Sequence, residues 1–250
     1  MTFASRRRDA GWAPSDRAVR LALKPLVFFA ALGPLAWLVW AFLTDRLSVN
    51  PLGDLTSETG IWTLRFLCLT LAITPLRRIT GWNAIVRFRR MIGLFAFFYG
   101  SLHFLTYMLV DRLAGLVEFP GGLVSIETIR RLAASIAGDI AGDRPFITIG
   151  FTALALLLPL ALTSTTGMIR RLGRKWQALH RLVYVSACLG VVHYWWLVKA
   201  DISRPRYYAL AVGALLGFRA WWSRRRRSRT PARTPAAHPR RMPESQRHTM

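Results

Sequence analysis

Six long apolar runs constrain this chain more than any other feature: Leu21–Leu43, Ile61–Leu76, Met91–Val110, Phe146–Thr166, Ala178–Val198 and Tyr207–Trp222. A helix needs about twenty residues to cross the hydrocarbon core of a bilayer. In lipid every backbone polar group must be satisfied inside its own segment, which leaves the helix as the form for runs of this length. The expected fold is therefore all-α, a polytopic membrane bundle of about six transmembrane helices. The second run is the shortest and carries Arg65, so its ends are the hardest to set. Pro25, Pro34, Pro75 and Pro159 fall near ends of or inside these runs, where neighbouring helices can satisfy the freed backbone groups. Residues 1–20 read as a basic cytoplasmic N-terminus, 21–222 as the helical domain and 223–250 as a tail rich in Arg, Pro and Ser. The tail has too little apolar surface to fold. The first run is long and lacks a small-residue cleavage site, so it reads as a retained helix rather than a signal peptide.

Charge sets the orientation. The formal net charge is +23, yet the basic residues gather at the ends of apolar runs rather than on a polar face. With the N-terminus inside, the segments Met1–Lys24, Arg77–Arg90, Arg170–Lys175 and Ser223–Met250 hold 24 Lys and Arg. The opposite segments hold eight, together with nine of the twelve Asp and Glu. Positive charge is retained on the cytoplasmic side during insertion, so both termini are expected inside. The same distribution argues against a nucleic-acid partner and makes membrane lipid the neighbour of the basic tail. In the long segment from Asp111 to Pro145, Ile126, Ile129, Leu132, Ala133 and Ile136 follow helical spacing, which predicts a short helix along the outer surface. Cys68 and Cys188 lie in apolar runs without a CxxC pattern and read as small core residues. No internal repeat is evident.

Three of the five histidines, His103, His180 and His193, lie within or at the edges of expected spans, whereas His238 and His248 lie in the tail. An imidazole in hydrocarbon is costly unless paired, which makes each of the three a functional candidate. Hydrogen bonding between helices is the plainer use of any one of them. Depth is more informative. His103 lies in the outer half of the third run and His193 in the outer half of the fifth, so two imidazoles from separate helices meet at one level. That is what axial ligation of a single haem iron requires, with no open coordination position, a state suited to electron transfer. His180 precedes His193 by thirteen residues, about 20 Å along a helix and about 220° around it, so one straight helix cannot aim both the same way. It is a possible ligand of a second haem on the cytoplasmic side, where the matching position on the third run is Arg89 or Arg90.

Rival chemistry is sparse. No paired carboxylates lie in the spans, no GxSxG, HExxH or P-loop pattern occurs, and Gly121 and Gly122 follow Pro120 as a turn. Arg77, Arg78, Arg87, Arg89 and Arg90 suit haem propionates or a flavin phosphate, and suit ordinary cytoplasmic charge bias equally. Tyr194, Trp195 and Trp196 border the outer site as haem packing or as an interfacial aromatic belt.

Several segments resemble the MsrQ (YedZ) family: Ile73–Arg78 (ITPLRR), Arg89–Leu94 (RRMIGL), His103, Arg144–Gly150 (RPFITIG), Thr163–Tyr184 (TSTTGMIRRLGRKWQALHRLVY) and His193–Lys199 (HYWWLVK). The resemblance spans roughly residues 26–222. It implies a ferric-reductase-like helical core in a bacterial inner membrane, with haem b, FMN and electrons drawn from the quinone pool. The implied partner is a periplasmic molybdopterin-containing methionine sulfoxide reductase that repairs oxidised envelope proteins. The family's haem histidines map onto His103, His180 and His193, and its flavin residues have no assigned positions here. The longer outer loop and the basic tail depart from the family pattern. No substrate reaction of the chain's own is expected. Two other readings stay open: a transmembrane ferric or metal reductase, and a non-redox transporter or assembly factor whose histidines only bond between helices.

Overall fold

Apolar length and a few capping residues explain the helices in order. The structure, a computed structural model, describes residues 19–108, 126–139, 144–198 and 202–228. A π-helical turn, Val19–Leu23, leads into α1 (Lys24–Leu43). The second helix, α2 (Pro51–Thr80), starts where Asn50 accepts a hydrogen bond from the Gly53 N–H at 3.0 Å and Pro51 occupies the first turn. Both are helix-start signals, because the first backbone N–H groups have no partner inside the helix. It ends at Gly81, whose φ of 70° gives the left-handed cap that glycine adopts without strain. A 3₁₀ segment (Asn83–Phe88) joins it to α3 (Arg89–Tyr107). Then follow α4 (Ile126–Gly138), α5 (Pro145–Leu162), the short α6 (Thr166–Leu172) and α7 (Arg174–Leu179), α8 (Leu182–Leu197) and α9 (Ser203–Ser228). Among the described residues every regular element is helical.

The long helices run alternately up and down. One end of the bundle carries the start of α2, the end of α3, the start of α5 and the end of α8, and is called here the Asn50 end. The His180 end lies opposite. By length and composition three helical stretches are suited to cross a membrane, Leu21–Leu43, Pro51–Thr80 and Pro145–Leu162. The remaining long helices α3, α8 and α9 coincide with the other expected spans, but α8 is shortened by a turn at its start and α9 carries Arg at both ends. A wide apolar surface faces outward: Phe29 is 68% exposed, and Trp37, Trp40 and Leu43 on α1 are exposed as well. So large a patch marks a lipid-facing or partner-facing surface.

Three differences from the sequence expectation matter. The helix expected from Ile61 begins ten residues earlier, because the Asn50 cap and Pro51 open it inside what reads as an outer loop. Residues 223–228, expected in the tail, are helical, since α9 continues through Ser228 with Arg225 stacked 4.2 Å over the Trp221 ring, one turn back. Residues 229–250 lie outside the described residues, as do 1–18. The short helix expected between residues 126 and 136 is present as α4, although the flanking stretches 109–125 and 140–143 are outside the described residues.

The core forms where α2, α3, α5 and α8 meet, around Leu67, Leu71, Ala96, Leu157 and Ala187. Phe66 stacks on Tyr99 at 5.2 Å and on Phe95 at 5.6 Å, adding aromatic contact to the burial. Tyr99, fully buried, also ties α1 to α3: its hydroxyl donates to the Ala31 carbonyl at 2.9 Å and accepts from the Leu35 N–H at 3.1 Å. Those groups flank Pro34, where the ring interrupts the helix ladder. Left unbonded in an apolar bundle, each would cost about 1–3 kcal/mol. Two of the arginines in the expected spans turn inward for the same reason. Arg65 donates to the Tyr208 hydroxyl at 3.3 Å over the Trp62 ring, and Arg219 donates to the Thr74 hydroxyl at 3.0 Å over the Tyr184 ring.

Candidate cofactor site

His103 lies in the last turns of α3, and its Nδ1 is 2.7 Å from the carbonyl oxygen of Thr56 on α2. One turn along α2, Gly60 lets the ring lie flat against the helix: a Cβ there would come within 3.0 Å of His103 Cε1 and Nδ1. His193 lies near the end of α8 in the same setting. Its Nδ1 is 2.6 Å from the Phe146 carbonyl oxygen on α5, and a Cβ on Gly150 would come within 2.7 Å of that nitrogen.

A carbonyl oxygen only accepts, so in each ring Nδ1 carries the proton and donates. Nε2 is then the lone-pair nitrogen, on the edge of the ring turned away from the glycine helix. A backbone carbonyl holding Nδ1–H is the usual way a protein fixes the tautomer and angle of a metal-binding histidine. The ring centres of His103 and His193 are 6.1 Å apart with the planes at 75°. A first-row metal binds an imidazole nitrogen at about 2 Å, so with the ring centre about 1 Å further back two rings on one ion stand about 6 Å apart. The observed separation agrees.

Both rings line one cavity of about 600 Å³ between α2, α3, α5 and α8. Among the described residues no group of three or more His, Cys, Asp or Glu side chains could hold a metal ion. Two imidazoles in a large, mostly apolar cavity fit an ion that brings its remaining ligands with it, as the iron of a porphyrin does. The residues present fit that group on three counts: the tautomer, the ring separation and the glycine faces that a Cβ would fill.

The site also corrects the reading that the chain has no internal repeat. Thr56 and Phe146, Gly60 and Gly150, Gly100 and Gly190, and His103 and His193 are each 90 residues apart, and each pair has the same role. The packing is exchanged in the same way. Leu154 of α5 lies 3.2 Å from the Cβ position of Gly100 on α3, while Leu64 of α2 lies 3.1 Å from that of Gly190 on α8. Leu64 and Leu154 are again 90 apart. The pairs α2–α3 and α5–α8 thus stand about an approximate two-fold axis between the histidines, with both pairs running in the same direction.

His180 is not brought into this site. The chain breaks from helix at His180 and Arg181, between α7 and α8, so the rotation expected for one straight helix does not apply. Its ring stacks on Trp176 at 3.8 Å, and its Nδ1 lies 3.1 Å from the Trp176 carbonyl oxygen. Trp176 is itself fixed by donating from Nε1 to the Thr163 carbonyl at 3.0 Å. His180 Nε2 is buried without a hydrogen-bond partner among the described residues. The position 90 residues earlier is Arg90, so this end of the bundle has one imidazole where the Asn50 end has two. Of the arginines singled out, Arg77 donates to the Asn83 side-chain oxygen at 2.8 Å and Arg78 lies 5.2 Å over the Trp222 ring. Tyr194 lines the cavity, whereas Trp195 and Trp196 are exposed. His238 and His248 are outside the described residues.

Comparison with known proteins extends the picture. Residues 59–191, from α2 to α8, match the family described as ferric reductase like transmembrane component. A protein-methionine-sulfoxide reductase heme-binding subunit MsrQ from Ralstonia nicotianae is 51% identical, over 83% of this chain and 87% of its own length. The chain belongs to the MsrQ family. Other MsrQ heme-binding subunits, from Herminiimonas arsenicoxydans and Xanthomonas euvesicatoria pv. vesicatoria, are 46% and 44% identical over 84% and 88% of the chain. They are covered over 89% and 96% of their own lengths. No solved structure matches. The ferric reductase like match begins within α2 and ends within α8, so in this MsrQ-family chain it takes in His103 and stops two residues before His193.

Proposed function

We propose that this chain is a haem b-binding membrane electron-transfer subunit that delivers electrons to a periplasmic methionine sulfoxide reductase. One observation carries the reading: two imidazoles from different helices, 6.1 Å apart, each with Nδ1 bonded to a backbone carbonyl and Nε2 left for a metal. His103 and His193 would be the axial ligands. The carbonyls of Thr56 and Phe146 hold the rings in one tautomer, Gly60 and Gly150 set how closely each ring approaches its helix, and Leu64, Leu67, Leu154 and Leu157 keep water from the cavity. Bound there, haem supplies one-electron transfer without an open iron position.

His180 offers the same tautomer singly at the other end, so a second haem there would take one imidazole from this chain. FMN, quinol as the electron source and a molybdopterin-containing partner follow from the family resemblance. The bias of Lys and Arg supports six spans in a bacterial inner membrane with both termini inside, which puts the Asn50 end in the periplasm. Reporter fusions after Gly53 should then read as outside and fusions after Lys175 as inside; the reverse pattern would send electrons the wrong way for this partner.

The visible spectrum of detergent-purified protein, before and after dithionite, tests the cofactor. A low-spin b-type spectrum that sharpens on reduction is expected. A colourless protein from haem-replete cells would favour the transporter or assembly-factor reading, in which these histidines only join helices.

A further inference from the structure

Related by an approximate two-fold axis along their sides, the walls of the cavity differ from one end to the other. Toward the His180 end it closes on Leu67, Leu157 and Ser186, and the Ser186 hydroxyl is already committed to the Ala153 carbonyl at 2.9 Å. Toward the Asn50 end its rim carries Asn50, Arg144 and Arg204. Of the nearby carboxylates, Asp54 accepts from the Ser48 N–H at 2.7 Å, Asp139 accepts from the Tyr107 hydroxyl and lies 3.8 Å from Arg144, and Glu58 lies in the groove beside Arg204. Arg144 is thereby fixed at the rim. Arg204, at the start of α9, makes no hydrogen bond or ion pair among the described residues and lines both this cavity and an adjoining groove with Glu58 and Arg65.

A b-type haem is amphiphilic, with two carboxylates on one edge and hydrocarbon substituents on the opposite edge. Carboxylates buried among leucines without partners are strongly disfavoured, whereas guanidinium groups hold them with charge-assisted hydrogen bonds. We propose that the cavity orients its cofactor with the carboxylate edge toward the Asn50 end, where Arg204 and Arg144 hold the propionates. This rests on the haem reading above. Arg204 is a positioning residue: it touches no ligand atom of the iron, but by neutralising a propionate it favours the reduced state and sets which edge faces the partner.

The test compares wild type, Arg204→Gln and Arg204→Lys, each carrying native haem or its propionate dimethyl ester introduced by reconstitution. The wild-type spectrum reports first whether haem binds at all, so failure of the cofactor reading is seen before any variant is measured. With native haem, Arg204→Gln should keep a low-spin spectrum but be reduced less readily. The ratio of reduced to oxidised protein at fixed ambient potential should fall about tenfold, equivalent to a midpoint about 59 mV lower for a one-electron couple. Propionate bending bands in the resonance Raman spectrum should shift as well, and Arg204→Lys should recover most of both effects. With the dimethyl ester, Arg204→Gln and wild type should have nearly the same midpoint. An equal shift with both haems would show that Arg204 acts through its charge alone and overturn the contact. No shift with native haem, and unmoved propionate bands, would overturn the orientation.

Discussion

Alanine in place of His103 or His193 should leave the purified protein with little or no haem. On the proposed reading each ring would provide one of the two protein ligands, and removing either would leave the iron one imidazole in a mostly apolar cavity. Loss of an outer-shell partner alone costs metal sites about 10–100-fold in affinity, so loss of a ligand should exceed about tenfold in haem per protein. Pyridine haemochrome assay gives the stoichiometry, and low-temperature EPR gives the spin state. His180→Ala should differ in kind. Its ring sits on Trp176 in the turn before α8, so the low-spin signal of the paired site should survive, while any second haem is lost. If His180→Ala emptied the protein and His103→Ala kept a normal low-spin signal, the wrong histidines would have been paired. Full haem in all three variants would remove the ligand assignment.

Gly150→Ala should also lower haem content, by about tenfold, without replacing either histidine. The added methyl would sit 2.7 Å from His193 Nδ1 and 2.8 Å from Cε1, where carbon contacts begin near 3.4 Å. The ring cannot simply retreat, because the same Nδ1 is held 2.6 Å from the Phe146 carbonyl of the same helix. It must pivot, and a pivot about Nδ1 moves Nε2 off the line to the iron. Gly60→Ala should do the same more mildly, since its contacts with His103 begin at 3.0 Å, and Gly213→Ala, with nothing within 4 Å, should change nothing. Wild-type occupancy in Gly150→Ala would mean that the close approach of ring and helix is not part of the site.

The parts of this architecture that depend on hydropathy were readable before any coordinates. Apolar length located the long helices, and depth along the third and fifth runs was enough to bring His103 and His193 to one level. The partners of those rings were not readable, for a physical reason. Thr56 and Phe146 contribute carbonyl oxygens, which every residue has, so no side-chain type announces them. Gly60 lay in what reads as a loop, because ten helical residues before Ile61 are polar enough to interrupt the apolar run. The signals that could have found them are local: Asn50 followed by Pro51 as a helix start, and a glycine three residues before each histidine, Gly100 before His103 and Gly190 before His193. The two-fold arrangement leaves little trace in the sequence, because the halves share few residues beyond those touching the cavity. For His180 only the geometry differs: the turn at His180 and Arg181 gives that ring a direction independent of α8, which no periodicity of an apolar run announces.

The order of synthesis gives the two-fold arrangement a further meaning. One half of the site, α2 and α3 with Gly60 and His103, leaves the ribosome 90 residues before its counterpart. At about 5–20 residues per second that gap is about 5–20 s. During it the first helix pair is complete but holds one imidazole, and Gly100 leaves a gap that awaits Leu154 from a helix not yet made. If His103 and His193 together hold the cofactor, its loading is a late event in biogenesis, and a ribosome stalled before residue 193 would carry an intermediate with one of the two imidazoles.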